Sequence, residues 1–140
     1  MFELVEEIHD NQLDDLLTMY HQVWWSRERQ KDDVLRMLRH SDLVLGIVHV
    51  ETHQLIGFTR ILTDFVYRAT IWDVMVHTQF QGQGLGRVLL NGVISHGRLQ
   101  EVELMLLICT VEMMPFYEKF DFTREIKNDL RLMQRVRLIS

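Results

Sequence analysis

The chain is 140 residues long, 47% hydrophobic and 25% charged, a balance that supports one compact domain with a real core and argues against disorder. Its 15 basic and 20 acidic residues leave a formal net charge of −5, which argues against a nucleic-acid partner held by bulk charge. A single cysteine, Cys109, excludes an internal disulfide, and no apolar run is long enough to cross a bilayer. With Glu3, Glu6 and Glu7 where a signal peptide would be basic, the expectation is a cytoplasmic protein with no membrane partner.

Phe2 to Ile8 reads as an edge strand, followed by a helix from Leu13 to Val23 that Asp10 or Asn11 can cap. A second helix follows a Ser26 cap, with Asp32 and Asp33 early and Arg36 and Arg39 late, as the macrodipole prefers. Leu43–Val50 and Leu55–Leu62 read as strands joined by the polar turn Glu51–Gln54, and Ala69–Val76 as a third. Leu85, Val88, Leu89 and Val93 mark an amphipathic helix. Glu103–Ile108, nearly all apolar, reads as a central strand covered on both faces. A short helix over Met113–Phe120 and a last strand over Leu130–Leu138 complete a β-αα-βββ-α-β-α-β order, an α/β (α+β) sandwich.

The richest segment runs from Val74-Met75-Val76 through Gln81-Gly82-Gln83-Gly84-Leu85-Gly86-Arg87. Strand, glycine-rich loop and helix start follow in succession. Glycines let consecutive amides turn toward one centre, and the helix start adds free N–H groups, so this is an anion site. A Walker A loop would need Lys-Ser/Thr where Arg87-Val88 stand, and a dinucleotide loop would need glycine at Arg87. Gln81 to Gly86 is similar to the Q/R-x-x-G-x-G/A pattern with which acetyl-coenzyme A transferases bind a pyrophosphate. His49 and His53 lack H-E-x-x-H spacing, so no metal site is expected.

In these residues, and in Pro115-Phe116-Tyr117-Glu118-Lys119-Phe120-Asp121-Phe122, the chain resembles the GNAT superfamily of N-acetyltransferases. The runs Gln54–Arg60 and Ala69–Val76 look most like its plastid and cyanobacterial serotonin (arylalkylamine) N-acetyltransferase group. The resemblance implies one domain over 1–140, with a mixed sheet of six to seven strands flanked by about four helices. It implies acetyl-coenzyme A as co-substrate and a small primary amine, aromatic or not, as acceptor. A protein lysine or N-terminus is the alternative acceptor, and a non-catalytic acyl-coenzyme A sensor the alternative outside catalysis.

The same resemblance assigns roles. The backbone of Val74, Met75 and Val76 would pair with the pantetheine arm, and the amides from Gln81 to Gly86 would hold the pyrophosphate, with Arg87 adding charge. Tyr117 matches the general acid that protonates the departing thiolate. Asp73 is the candidate base for the acceptor ammonium, or else a buried carboxylate paired with an arginine such as Arg60. Trp24 and Trp25 would wall the acceptor pocket, or one of them would staple a helix start. Two positions depart from the family pattern. Val111 stands where an asparagine contacts the pantetheine arm, and Asp121 replaces a glycine, which implies an altered helix C-terminus. The apolar alternation Leu130, Leu132, Val136, Leu138 would allow strand pairing in a homodimer.

Overall fold

The computed structural model describes residues 1–137 and divides into two compact units, Met1–Ile108 and a smaller one that begins at Cys109. The first holds a five-stranded sheet in the order β1-β2-β3-β4-β5. Its strands are β1 (Phe2–Val5), β2 (Leu43–His49), β3 (Leu55–Thr63), β4 (Arg68–Val76) and β5 (Leu104–Leu107). The first four pair antiparallel in sequence order, and β5 joins β4 in parallel, so the sheet is mixed. A parallel pair cannot be closed by a hairpin, and the crossover is supplied by α3 (Leu85–Ile94).

Strand alternation sorts the core into two layers. On one face, Val48, Leu55, Phe58 and Met75 pack with Leu13, Leu16, Met19 and Tyr20 of α1 (Leu13–Gln22) and Val34 of α2 (Lys31–Arg39). Each of these large side chains removed from water contributes roughly 1.5–3 kcal/mol. On the other face α3 settles close to the sheet through Gly92, where a Cβ would lie 3.2 Å from Leu45 and 2.8 Å from Leu4. The second unit holds α4 (Met114–Glu118), with Pro115 in its first turn, where the missing N–H costs nothing.

Several sequence expectations are corrected. Asp10 and Asn11 do not cap α1; they lie in a 3₁₀ turn over Asp10–Gln12, where the Gln12 side chain accepts from the His9 N–H at 3.0 Å. Ser26 does not cap α2 either. It is buried, and its hydroxyl donates to the Tyr20 carbonyl at 2.8 Å, closing the segment between the helices on itself. β5 is an edge strand among the described residues, with Leu104 and Leu106 exposed, so it is not covered on both faces. The described sheet therefore has five strands, not six or seven. No strand forms over residues 130–137, the described part of the segment expected to end the sheet and pair between chains; Leu138 lies outside the described residues.

Candidate active site

Two different edges flank β4. From Arg68 to Ile71 it pairs with β5, and the ladder ends at Ile71–Leu107. On the other side β3 follows it to Val76. Beyond Ile71, no strand among the described residues pairs with the outer edge of β4, which leaves backbone there for an extended ligand. Val76 closes this stretch, and its carbonyl accepts from Gln81 Nε2 at 3.0 Å, which folds the following loop back onto the strand.

The same stretch of β4 is kinked. Phe58 pairs with Met75 and Arg60 with Trp72, so a step of two residues on β3 meets a step of three on β4. Asp73 absorbs the extra residue with φ +58, a conformation unfavourable for a side chain with a Cβ. Opposite the bulge the buried Thr59 donates its hydroxyl to the Trp72 carbonyl at 2.8 Å.

The loop that leaves β4 is held by side chains at its start and leaves backbone amides free at its end. His77 Nδ1 accepts from the Gln79 N–H at 3.1 Å, and Gln22 Oε1 at the end of α1 accepts from the Thr78 N–H at 3.2 Å. Gly82 and Gly84 then take φ +82 and +79, and nothing lies within 4 Å of where their Cβ atoms would stand. Gly84 is the N-cap of α3 and offers no side chain to it. The Val88 N–H is bonded to the Gly84 carbonyl at 3.2 Å, so the amides before it, of Leu85, Gly86 and Arg87, have no acceptor within the helix. A phosphate group has the charge and the oxygens to fill that role. Arg87 is exposed on the first turn. This loop fits the pyrophosphate of a coenzyme A ester: open space over two left-handed glycines and an uncapped helix start.

Asp73 sits on the α1 face, and its Oδ2 gathers three donors. These are Arg60 Nε at 2.7 Å, the Tyr20 hydroxyl at 2.7 Å and Arg29 Nη1 at 3.0 Å. Burial alone would raise its pKa. The hydrogen bonds from Arg60 and Tyr20 and the charges of both arginines outweigh burial and hold the carboxyl below its ordinary value. Such a carboxylate is a poor proton acceptor for an ammonium. The geometry is thus that of the buried, arginine-paired carboxylate, with Arg60 as the partner expected from sequence and Arg29 as one that was not. Tyr20 has its own pKa pushed upward, first by burial and then by the Asp73 charge, so it stays a donor.

Trp24 and Trp25 lie in the turn between α1 and α2, 74% and 41% exposed. With Arg27 and Glu28 they line an open surface depression of about 320 Å³. Trp25 packs edge-on against Tyr20, with ring centroids 6.4 Å apart, and the Arg29 guanidinium lies 5.4 Å from the Trp25 ring and 4.6 Å from that of Tyr20. The Trp pair and Asp73 are therefore linked through Arg29. Neither Arg29 nor Tyr20 carries a local signal that sequence reading could use. A charged residue at an inward position of a strand does signal that cationic partners must exist.

In the second unit Tyr117 is buried, and its ring meets Phe116 edge-on at 5.1 Å and Phe122 at 6.2 Å. Burial, with a smaller contribution from Cys109, pushes its pKa up to about 12. After α4, Asp121 takes φ +67, and the Phe122 N–H reaches back to the Tyr117 carbonyl at 3.4 Å. The helix thus closes on a left-handed residue although no glycine is present, so its C-terminus is strained in place of altered. Val111 opens a 3₁₀ turn over Val111–Met113 and brings no amide side chain.

Comparisons with known proteins bear on the family and the fold. The chain is 32% identical over 104 residues to the uncharacterised N-acetyltransferase ycf52 of Porphyra purpurea, covering 73% of this chain and 59% of that protein. It is 29% identical over 117 residues to a soybean (Glycine max) protein named histone acetyltransferase TAP1, covering 77% of this chain and 50% of that one. The chain thus spans 59% and 50% of the length of these two relatives. A crystal structure of a protein from Xanthomonas campestris pv. campestris assigned to the GNAT family superposes with a TM-score of 0.79 at 22% identity, covering 96% of this chain and 94% of that one, and so shares the fold. The acetyltransferase (GNAT) family pattern matches residues 10–122, and the chain belongs to that family.

Proposed function

We propose that the chain is an acetyltransferase that moves the acetyl group of acetyl-coenzyme A onto a small primary amine, aromatic amines included. The observation that carries this reading is the loop at the end of β4, where Gly82 and Gly84 hold left-handed backbone over open space and α3 begins without a side-chain cap. The co-substrate supplies an activated acyl group as a thioester. The chain's part is to hold its pyrophosphate on the amides from Gln81 to Gly86, with Arg87 adding charge, and its pantetheine arm on the open edge of Val74, Met75 and Val76. Tyr117 keeps its proton far above neutral pH and serves as the donor toward the leaving sulfur. Trp24 and Trp25 supply aromatic surface for the acceptor, by stacking or cation–π attraction.

A protein acceptor is the second reading. It is favoured by the openness of the depression beside Trp24, which would admit a peptide as well as a small ring. Calorimetric titration with acetyl-coenzyme A, followed by thiol release with 2-phenylethylamine and with lysine peptides as acceptors, tests both. Heat, thermal protection and thiol release with the small amine support the first reading, and release only with peptides supports the second. Absence of both heat and protection on adding acetyl-coenzyme A overturns them together.

A further inference from the structure

The strained bulge of β4 and the turn bearing the two tryptophans are separated by about fifty residues of chain, yet one guanidinium joins them. Arg29 is the last charged residue before α2 and reaches Asp73 Oδ2 at 3.0 Å. Its Cζ lies over the rings of Tyr20 and Trp25, 4.6 and 5.4 Å from their centroids. The segment that carries it is already tied down at other points. Ser26 N–H donates to the Val23 carbonyl at 3.2 Å and Arg29 N–H to that of Ser26 at 3.1 Å, while His21 Nε2 lies 2.9 Å from the Arg29 carbonyl. An exposed loop with two indoles would ordinarily pay conformational entropy on meeting a ligand. Here that ordering is present beforehand, and Arg29 supplies the ion pair that anchors the turn to the sheet.

We infer that Asp73 is a positioning residue. Through Arg29 it locks the Val23–Gln30 segment to the bulge of β4 and so fixes the wall formed by Trp24 and Trp25 for the acceptor. Arg60, which holds the other side of Oδ2 at 2.7 Å, keeps the carboxylate in place when Arg29 moves. The inference deepens the amine-acetyltransferase reading and rests on it for the acceptor; the lock itself is independent of turnover. It accounts for a carboxylate in mid-strand whose Oδ2 is engaged by three donors, and for an arginine turned toward the fold in an otherwise exposed turn.

The test compares Arg29→Gln, Arg29→Lys and Asp73→Asn in the full chain. Arg29 is only half-buried, so Arg29→Gln keeps the test open if Asp73→Asn does not fold. In a Trp24→Phe/Trp72→Phe background, Trp25 is the sole indole, and its quenching by acrylamide reports the lock without any substrate. Quenching rises about twofold in Arg29→Gln and in Asp73→Asn, and no further in the double variant, because both remove the same contact. With wild-type tryptophans, Arg29→Gln and Asp73→Asn raise KM for 2-phenylethylamine about tenfold with kcat within about twofold, and Arg29→Lys lies between. KM for acetyl-coenzyme A stays unchanged, and Asp73→Asn keeps the acid limb of its pH–rate profile. Unchanged quenching in both single variants overturns the inference. So does an Asp73→Asn variant that loses the acid limb and most of kcat while Arg29→Gln does not, since that is the signature of a proton acceptor. If no amine is acetylated by the wild type, the catalytic reading falls and the quenching still decides the lock.

Discussion

The hydroxyl of Thr59 donates to the carbonyl of Trp72 at 2.8 Å, at the point where β4 carries one residue more than β3. A bulge removes a carbonyl from the ladder, and in a buried position that group needs another donor. Thr59 supplies it from the facing strand. Thr59→Val keeps the shape and removes the donor, so the variant loses about 1–3 kcal/mol of stability in urea unfolding. Thr59→Ser restores most of the loss. Equal stability of the valine and threonine forms would show that the bulge satisfies itself in another way.

Gly84 carries φ +79 with open space over its α-carbon, so a methyl group there meets no atom but strains the backbone. Gly84→Ala therefore costs roughly 1–2 kcal/mol, an amount a folded domain survives. Binding responds differently. A shift of the N-cap out of the left-handed region re-aims the amides of the first turn, and the dissociation constant for acetyl-coenzyme A rises by about tenfold or more. Calorimetry against a melting curve separates the two effects. A stability loss with unchanged affinity would remove the loop from the phosphate site.

The contrast between these two positions shows what the sequence could reveal. Gly82 and Gly84 were legible because glycine spacing maps directly onto backbone conformation, and the strand and helix on either side follow from hydrophobic period. The order of elements through α4 was legible for the same reason. Thr59, Tyr20 and Arg29 were not, because each acquires its role from a partner 13, 53 or 44 positions away, and no local pattern encodes such pairings. Ser26 illustrates the opposite error. Its residue type suits a helix cap, but the Tyr20 carbonyl takes its hydroxyl first. The last strand misled because alternation of Leu130, Leu132 and Val136 states only which residues could share a face, not that a neighbouring strand is present.

Asp121 offers a test of strain without function. It ends α4 at φ +67, is exposed, and its side chain has no hydrogen bond among the described residues. Asp121→Gly relieves the left-handed penalty and raises stability by up to about 1 kcal/mol, the gain being reduced by the entropy glycine brings to the unfolded chain. The melting temperature rises by a few degrees. A fall on making this substitution would mean that the carboxylate contributes more than the backbone loses.

Tyr117 is expected to behave as an acid whose own titration lies outside the working range. With its pKa pushed up to about 12, the phenol stays protonated from neutral pH through pH 10, so its ionisation produces no basic limb in kcat there. Tyr117→Phe lowers kcat by about 10²–10⁴-fold and leaves acetyl-coenzyme A affinity unchanged. Stability carries the same signature. The unfolded tyrosine ionises near pH 10 and the folded one only near 12, so the folded state is favoured fully below pH 10 and progressively less between these values. Alkaline unfolding in that window should weaken in Tyr117→Phe relative to its own stability at pH 8. A kcat unaffected by the substitution would take Tyr117 out of the reaction.

Asp73 gives the matching prediction on the acid side. Its carboxyl is held below the ordinary value near 3.8 because the hydrogen bonds and charges of Arg60, Tyr20 and Arg29 outweigh the burial that would raise it. A depressed folded pKa means that the unfolded chain takes up a proton first as the pH falls. The stabilisation from this group is therefore complete above the unfolded value and is lost progressively below it, as pH drops toward the folded one. Asp73→Asn leaves two guanidiniums without their carboxylate in a largely buried site, and at pH 7 it costs about 3–5 kcal/mol. Below the unfolded pKa the penalty narrows, because wild-type protein is losing the same interaction. Urea unfolding of both forms from pH 7 down to pH 3 measures the gap directly. A gap that stays constant across that range would mean the carboxylate's charge contributes nothing, and that Asp73 holds the turn by shape and hydrogen bonding alone.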